Sequence, residues 1–588
     1  MYRKASVLVL LAVLTACLAY AAPAAPPPPP PPGYGPGGPK GALSPSGIAG
    51  TVVNAAGQPL AGVTVYNNGD GPVELKARTD AAGRFLLKGF VLTPGAFIFV
   101  EQPCYHFYGG YFDLGTKDAK IVLAPADGQR PAVMLQPQRE DLEYRRELAQ
   151  KLVDKGMALI KSDPKDPNYL PLAYAAIQLD PTKATTLTSD PLKRRTLFLL
   201  IDRLSDVAPE EVIQSTSQYN RWTAMYYLLK WSRRPEVRKN PAVEAQMLQE
   251  VITFSRDDEP SVLQALTYRT EAAGRLLELG YPEARQVLDR DLPLVSKLPF
   301  SLDDYETARV VMVFAQAYYL ADPKKALALV KGPASSPYNL EDMTRQKLGV
   351  RRARKDPDEG LRVYPKRSAN EPQQLSDIAM AAAIAETDPA RAEAFAREIA
   401  DAQVKPLALG EVAAALIPTD RERARKLFGE AYQMMSAKSA GEQRGYFTPG
   451  LMLASLAVMM RDADPAMAYE AMMRGLSRRS PVGRNPNDEY MTSVLVQAAQ
   501  KVDAPTARRL LRLPEDPSAD QVMALTRDSW AYPGLAADVL LEASQAAGNE
   551  GLNASVYGQM TMQLLRDEAF QWTYFAGDWT QYLSDSYE

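Results

Sequence analysis

The sequence predicts a multidomain protein in which a small all-β sandwich of about seven strands is followed by an all-α solenoid of repeated helical hairpins. Two periodicities predict this order. Apolar residues alternate with a period of two between residues 47 and 136, and they recur at helical spacing from residue 141 onward. A chain of 588 residues also exceeds what one hydrophobic core supports, so several domain-sized units are expected.

Residues 1–22 have the features of a bacterial export signal. Two basic residues precede a mostly apolar stretch that is too short to span a bilayer. The stretch ends in Leu-Thr-Ala-Cys at 14–17, which resembles a lipobox and implies lipid attachment to Cys17. Ordinary cleavage at the Ala-Tyr-Ala of 19–21 is the alternative. We therefore expect an exported protein that is anchored as a lipoprotein of the cell envelope, or is secreted or periplasmic if the lipobox is not used.

Residues 23–46 form a linker rich in proline and glycine, with seven consecutive prolines at 26–32. Proline fixes φ and lacks an N–H donor, so this run favours a polyproline II rod. Such a rod rises about 3.1 Å per residue and acts as a spacer.

Short runs rich in Val, Ile, Phe and Thr, separated by Gly, Asn, Asp and Pro, predict the strands of the β-sandwich at 47–136. The predicted strands are 48–53, 63–67, 73–79, 85–87, 96–101 and 121–124.

Three motifs in this region carry a family resemblance. They are IAGTVV at 48–53, GQPLAGVTV at 57–65 and TDAAGRF at 79–85, and together they resemble the carboxypeptidase regulatory-like domain. The resemblance implies a seven-stranded, transthyretin-like sandwich that serves as an accessory or adhesion module. It does not imply peptidase activity.

The segment 103–112 is unusually aromatic for a late strand of such a domain. One interpretation is an exposed strip that stacks on a sugar or a peptide. The other is that alternate side chains fill the core or pack against the helices. The rings that would contact a ligand are Tyr105, Phe107, Tyr108 and Tyr111.

Helical hairpins repeat over 301–588, and an aspartate that is commonly followed by proline marks the junction within each hairpin. Aspartate is a favoured N-cap and proline is favoured at the first helical position, so the motif predicts helix capping rather than an acidic active site. The period resembles that of tetratricopeptide-like and HEAT-like solenoids, but the tetratricopeptide signature is absent.

Residues 141–300 repeat less clearly and are expected to form an irregular helical region. The predicted capping positions are Asp180, Asp322, Asp388 and Asp464.

The composition argues against several functional classes. The 67 basic and 70 acidic residues nearly cancel, for a net charge of −3, so no nucleic-acid partner is expected. His106 is the only histidine, which excludes catalytic triads of the usual kind and multi-histidine metal sites. Cys104 is suitably spaced to join His106 as a metal ligand, but no third ligand is evident. We assign no catalytic residues, no metal and no cofactor.

The leading functional hypothesis is a non-enzymatic cell-envelope scaffold or binding protein that engages an envelope protein or peptide through the helical repeats. Contact with the membrane is expected only through the N-terminal lipid anchor. One alternative is carbohydrate binding through the β-sandwich. Another is an (α/α)-barrel carbohydrate-active enzyme, which can work with two carboxylates and no histidine. The sequence leaves open whether the helices form an open solenoid or a closed toroid.

Overall fold

A computed structural model describes most of the chain from residue 44 onward. The signal segment, Cys17 and the linker up to residue 43 lie outside the described residues. The described residues are 44–67, 75–90, 93–139, 141–163, 165–166, 168–180, 221–233, 235–255, 262–298, 305–331, 340–365, 375–437, 448–478, 488–511, 521–522, 525, 532–546 and 554–565.

The chain divides into two compact units. The first comprises residues 1–132 and 473–492, and the second comprises residues 133–472 and 493–588. The strands lie in the first unit and nearly all of the helices lie in the second. The predicted order of a β region followed by a helical region is therefore confirmed.

Seven strands form two sheets in the described part of the first unit. A three-stranded sheet has the order β4-β1-β7, with β4 antiparallel and β7 parallel to β1. A four-stranded antiparallel sheet has the order β3-β2-β5-β6. Apolar side chains from both sheets form one hydrophobic core. The strands are β1 (Ile48–Asn54), β2 (Thr64–Asn67), β3 (Leu75–Arg78), β4 (Arg84–Leu87), β5 (Gly95–Val100), β6 (Tyr108–Asp113) and β7 (Ala119–Leu123).

The turn before β4 shows why the motif residues are needed there. The Asp80 carboxylate accepts hydrogen bonds from the backbone N–H groups of Ala82 and Arg84, at 2.9 and 2.8 Å. Gly83 adopts a φ of 71°, and a Cβ there would lie 2.6 Å from the carbonyl oxygen of Val52. Only glycine fits this position without strain.

The second unit contains helices and no strands in its described residues. No helix there is long and apolar enough to cross a membrane. The helices are α1 (Leu142–Leu159), α2 (Tyr169–Leu179), α3 (Arg221–Ser232), α4 (Pro235–Arg238), α5 (Pro241–Phe254), α6 (Val262–Glu278), α7 (Ala284–Val295), α8 (Tyr305–Tyr318), α9 (Pro323–Leu329), α10 (Leu340–Ala353), α11 (Pro357–Val363), α12 (Leu375–Ala385), α13 (Pro389–Glu398), α14 (Val404–Leu416), α15 (Arg421–Ser436), α16 (Pro449–Met460), α17 (Pro465–Ser477, which extends into the first unit), α18 (Asp488–Val502), α19 (Ala504–Leu510), α20 (Pro533–Ala546) and α21 (Ala554–Leu564).

The middle of this unit is built in two layers. The helices α6, α8, α10, α12, α14 and α16 each pack against the next, and we call them the first layer. The helices α7, α9, α11, α13 and α15 each pack on the first-layer helix that precedes them, and they form the second layer. Nearly every residue of α14 and α16 is buried, whereas α15 buries only one stripe at helical spacing.

The ends of the second unit pack together. Helix α1 contacts α20 and α21 as well as α2, and α21 also contacts α2. Gly156 of α1 allows this close approach, because a Cβ there would lie 2.6 Å from Leu172 of α2 and 3.1 Å from Tyr557 of α21. The first described pair of helices in the unit, α1 and α2, therefore packs against its last described helix, α21.

Candidate functional site

The aromatic segment predicted from the sequence has two faces. Tyr105 lies just before β6, whereas Tyr108 and Phe112 belong to it, and all three pack against the core between the sheets. Burial raises the pKa of Tyr108 to about 12. Phe107 and Tyr111 lie on the opposite face of the four-stranded sheet, as expected from alternation along a strand.

This opposite face carries a group of aromatic rings that we call the aromatic wall. Neighbouring rings are 5.2 to 6.4 Å apart between centroids, and most are tilted or stacked in arrangements that aromatic pairs favour. The wall consists of Tyr66, Phe97, Phe99, Phe107 and Tyr111.

The aromatic wall is covered by the last turn of α17, which belongs to the same compact unit. The Arg474 guanidinium lies 4.7 Å from the centroid of Phe107 and forms an ion pair with Glu101 at 2.5 Å. A cation over an aromatic ring is attracted by the ring's negative face. Met473 packs so close to the sheet that a Cβ on Gly109 would lie 2.6 Å from it.

Burial at the wall also shifts the ionisation of Tyr66, one of its two tyrosines. Burial raises the pKa of Tyr66, although a hydrogen bond with Ser477 and the nearby Arg474 act in the opposite direction. Phe97, Phe99 and Phe107 are at most 6% exposed. This arrangement matches the second interpretation of the aromatic segment, in which its side chains fill the core or pack against a helix. A ligand could stack on Phe107 only if the last turn of α17 moved away.

The candidate metal ligands do not form a site in the structure. Cys104 is exposed and has a φ of 67°, and the imidazole Nε2 of His106 lies 3.1 Å from the carbonyl oxygen of Gly128. Among the described residues, no group of three or more His, Cys, Asp and Glu side chains is placed to hold a metal ion.

The aspartates of the repeat motif lie at helix N-termini wherever the following helix is described. The carboxylates of Asp322, Asp388 and Asp464 accept hydrogen bonds from backbone N–H groups three residues later, at 3.0 to 3.1 Å. Asp180 ends α2, and the residues that would follow it as a capped helix lie outside the described residues. Each capped position satisfies an N–H group that has no partner within its helix.

Several buried carboxylates of the second unit are hydrogen-bonded by arginine or tyrosine. Arg269 donates to both carboxylate oxygens of Asp291, at 2.6 and 3.0 Å. The hydroxyl of Tyr432 donates to Glu470 at 2.7 Å. A carboxylate held in this way links neighbouring helices, which differs from the role that an acid–base pair requires.

Asp538 of α20 is a polar residue that sequence reasoning missed. The Tyr144 hydroxyl donates to its two oxygens at 2.7 and 2.8 Å, and the Gln138 side chain donates at 2.6 Å. Burial raises the pKa of Asp538, and the hydrogen bonds from Tyr144 and Gln138 lower it less than burial raises it. Tyr144 and Asp538 are 394 residues apart in sequence, so no local motif could have joined them.

The chain matches no family model, and comparisons with curated proteins and with solved structures found no significant match.

Proposed function

We propose that the protein is a non-enzymatic scaffold or binding protein of the cell envelope that engages a protein or peptide partner through its helical repeats. The observation that carries the proposal is the recurrence of one packing arrangement from hairpin to hairpin along the two layers. Hairpins that contact mainly their neighbours are characteristic of solenoids, whose extended surfaces suit extended partners.

The proposed contact surface is the outward side of the second layer. The first-layer helices α14 and α16 are buried almost completely, so they offer little surface to a partner. On α15, Glu422, Lys426 and Gln433 are exposed, and a Cβ added at Gly429 would meet nothing within 4 Å. We call these four positions the α15 face.

The proposed location rests on the N-terminal sequence. Lipid on Cys17 would anchor the protein in the envelope membrane, and the proline-rich linker would hold the folded units away from it. The first unit would then be an accessory sandwich of the carboxypeptidase regulatory-like type, since its turn residues Asp80 and Gly83 have the roles that the family motif requires.

Carbohydrate binding is the second candidate, and the aromatic wall favours it. Planar arrays of rings bind sugar faces well. In this candidate, the last turn of α17 would have to leave the wall before a glycan could stack on Phe107. The enzyme alternative has less support, because the buried carboxylates described above are hydrogen-bonded to arginine or tyrosine.

The test is a pull-down from native cell envelope with the chain from residue 18 onward as bait. In one variant, Glu422→Lys with Lys426→Glu exchanges two charges on the α15 face and leaves the net charge unchanged. The matched control exchanges two exposed charges in the first unit, Lys117→Asp with Asp118→Lys. We expect a protein partner that is retained by the wild type and by the control and is lost with the α15 variant.

A different pattern would overturn the proposal. If polysaccharide and no protein is retained, and more polysaccharide is retained when Arg474→Ala uncovers Phe107, the protein binds carbohydrate through the aromatic wall. Equal retention of the protein partner by both charge exchanges would remove the α15 face from the proposal.

A further inference from the structure

The chain that leads into α1 contacts three helices of the second unit, α18, α19 and α20. We call residues 136–139 and 141–144 the strap. The backbone N–H of Gln138 donates to the carbonyl oxygen of Gln500 in α18 at 2.7 Å. The backbone N–H of Ala504 in α19 donates to the carbonyl oxygen of Gln136, also at 2.7 Å. The strap is thus held by its backbone across the junction of two helices.

Side chains add two polar anchors. The carboxylate of Asp503 accepts a hydrogen bond from the backbone N–H of Gln136 at 3.3 Å. Asp538 of α20 accepts hydrogen bonds from Gln138 and from Tyr144 at 2.6 to 2.8 Å. Three short contacts from two side chains of the strap converge on this one carboxyl group, which makes Asp538 the main anchor.

The strap buries little apolar surface. Gln136, Pro137 and Arg139 are exposed, and so is Met134 just before the strap, at 87%. Neither polar atom of the Gln500 side chain has a hydrogen-bond partner among the described residues, although this side chain is fully buried. A buried polar group without a partner weakens the structure around it.

Helix α1 is attached differently. Leu148, Ala149 and Leu152 are at most 2% exposed, and α1 packs on both α20 and α21. Apolar burial of this kind stabilises much more than a few hydrogen bonds. Regions with few apolar contacts open at lower free energy than the core beside them.

We propose that the strap is a releasable latch with Asp538 as its anchor: it detaches from α18, α19 and the Asp538 side chain while α1 from Leu148 onward stays packed against α20 and α21. Release frees the chain from Gln136 to Asp141, which spans about 20 Å when it is extended.

Hydrogen exchange measured by mass spectrometry on the full chain tests the latch. In an Asp538→Ala variant, we expect the backbone amides of Gln138 and Ala504 to exchange about tenfold faster or more, because the hydrogen bonds from Gln138 and Tyr144 lose their acceptor. Amides in the second half of α1 should exchange as in the wild type. Tyr144→Phe removes one of the two side-chain donors and should give a smaller acceleration in the same peptides.

The matched control is Asp322→Ala, which removes a partly exposed carboxylate at the start of α9 and should leave exchange in the strap unchanged. If Asp538→Ala prevents folding, Tyr144→Phe provides the test alone, because the Gln138 bond to Asp538 remains. Equal acceleration of the strap and of α1 would show that they open as one body and would overturn the latch. Unchanged exchange in the strap would overturn the role of Asp538.

Discussion

The guanidinium of Arg269 and the carboxylate of Asp291 form an ion pair that solvent hardly reaches. Their side chains are 2% and 0% exposed, and two hydrogen bonds join them. Desolvation of both charges offsets most of their attraction, so such a pair adds little net stability. Loss of Arg269 removes both short bonds to the buried carboxylate of Asp291 and leaves it a longer contact with Arg290, at 3.3 Å.

We expect Arg269→Met to lower the free energy of unfolding by about 3–5 kcal/mol. The double variant Arg269→Met with Asp291→Leu should recover most of that loss, because no isolated charge remains. Urea unfolding followed by circular dichroism measures both. Equal losses in the single and the double variant would contradict this view of the pair.

The contribution of Asp538 to the stability of the protein decreases as pH rises, which is unusual for a carboxylate. Because its pKa is raised in the folded state, folding favours the protonated form. Its contribution is fully present below the ordinary pKa of 3.8 and is lost as pH rises through the raised value. The charged and titratable groups around it are Tyr144 of α1, Arg508 of α19 and Glu542 of its own helix.

We expect Asp538→Asn to stabilise the protein relative to the wild type more at neutral pH than at pH 4. The difference between the two chains isolates this group from carboxylates such as Glu393, whose pKa is lowered by Arg397 and Arg423 against the opposing effect of burial. Unfolding midpoints in urea at several pH values measure the effect. If the difference in stability between the variant and the wild type does not change with pH, Asp538 has the same pKa in the folded and the unfolded protein.

Within a single helix, the N-terminus is the feature that the sequence determines most directly. The Asp388 carboxylate accepts a hydrogen bond from the backbone N–H of Arg391 at 3.0 Å, and Pro389 follows it at the first helical position. We expect Asp388→Ala to cost about 1 kcal/mol of stability, whereas Asp388→Asn should cost much less because asparagine caps nearly as well. Thermal unfolding of both variants measures this, and equal losses would show that the charge matters rather than the cap.

Neighbouring helices of the second layer are also linked by arginines. Arg423 of α15 pairs with Glu393 of α13 at 2.7 Å, and Arg397 of α13 pairs with Glu430 of α15 at 3.0 Å. These arginine side chains are more than 40% exposed, so each pair contributes at most about 1 kcal/mol. The pairs align adjacent hairpins more than they stabilise them.

Elements that depend on local chemistry could be predicted from the sequence. Asp80 and Gly83 specify a turn within five residues, and Asp-Pro specifies a helix start within three. The predicted strands omitted β6, because Gly109 and Gly110 interrupt the strand pattern there. The covered aromatic wall could not be predicted either, since Arg474 and its ion-pair partner Glu101 are 373 residues apart in sequence.

At the scale of the whole molecule, contact between the two ends of the helical unit is the feature that the sequence does not reveal. The period of the repeats describes neighbours along the chain, and α1 and α21 are not such neighbours. Gly156 is the position where this contact is tightest, because Leu172 and Tyr557, both fully buried, lie against it.

We expect Gly156→Ala to destabilise the protein by about 1–3 kcal/mol, because the added methyl group has no room between three helices. The matched control is Gly429→Ala in α15, where a Cβ meets nothing within 4 Å. There the better helix propensity of alanine should stabilise by roughly 0.5–1 kcal/mol. Chemical unfolding of both variants measures the difference, and a stabilising Gly156→Ala would show that the ends do not pack closely.

The packing of α1 on α21 also sets an order in which the chain can complete its folding. The two helices are about 400 residues apart in sequence, so α1 leaves the ribosome long before its partner has been made. Until then α1 can pack on α2 but not on α20 or α21. Completion of the helical unit must therefore wait for its last helices, and the first of its described helices is among the last to complete its native contacts.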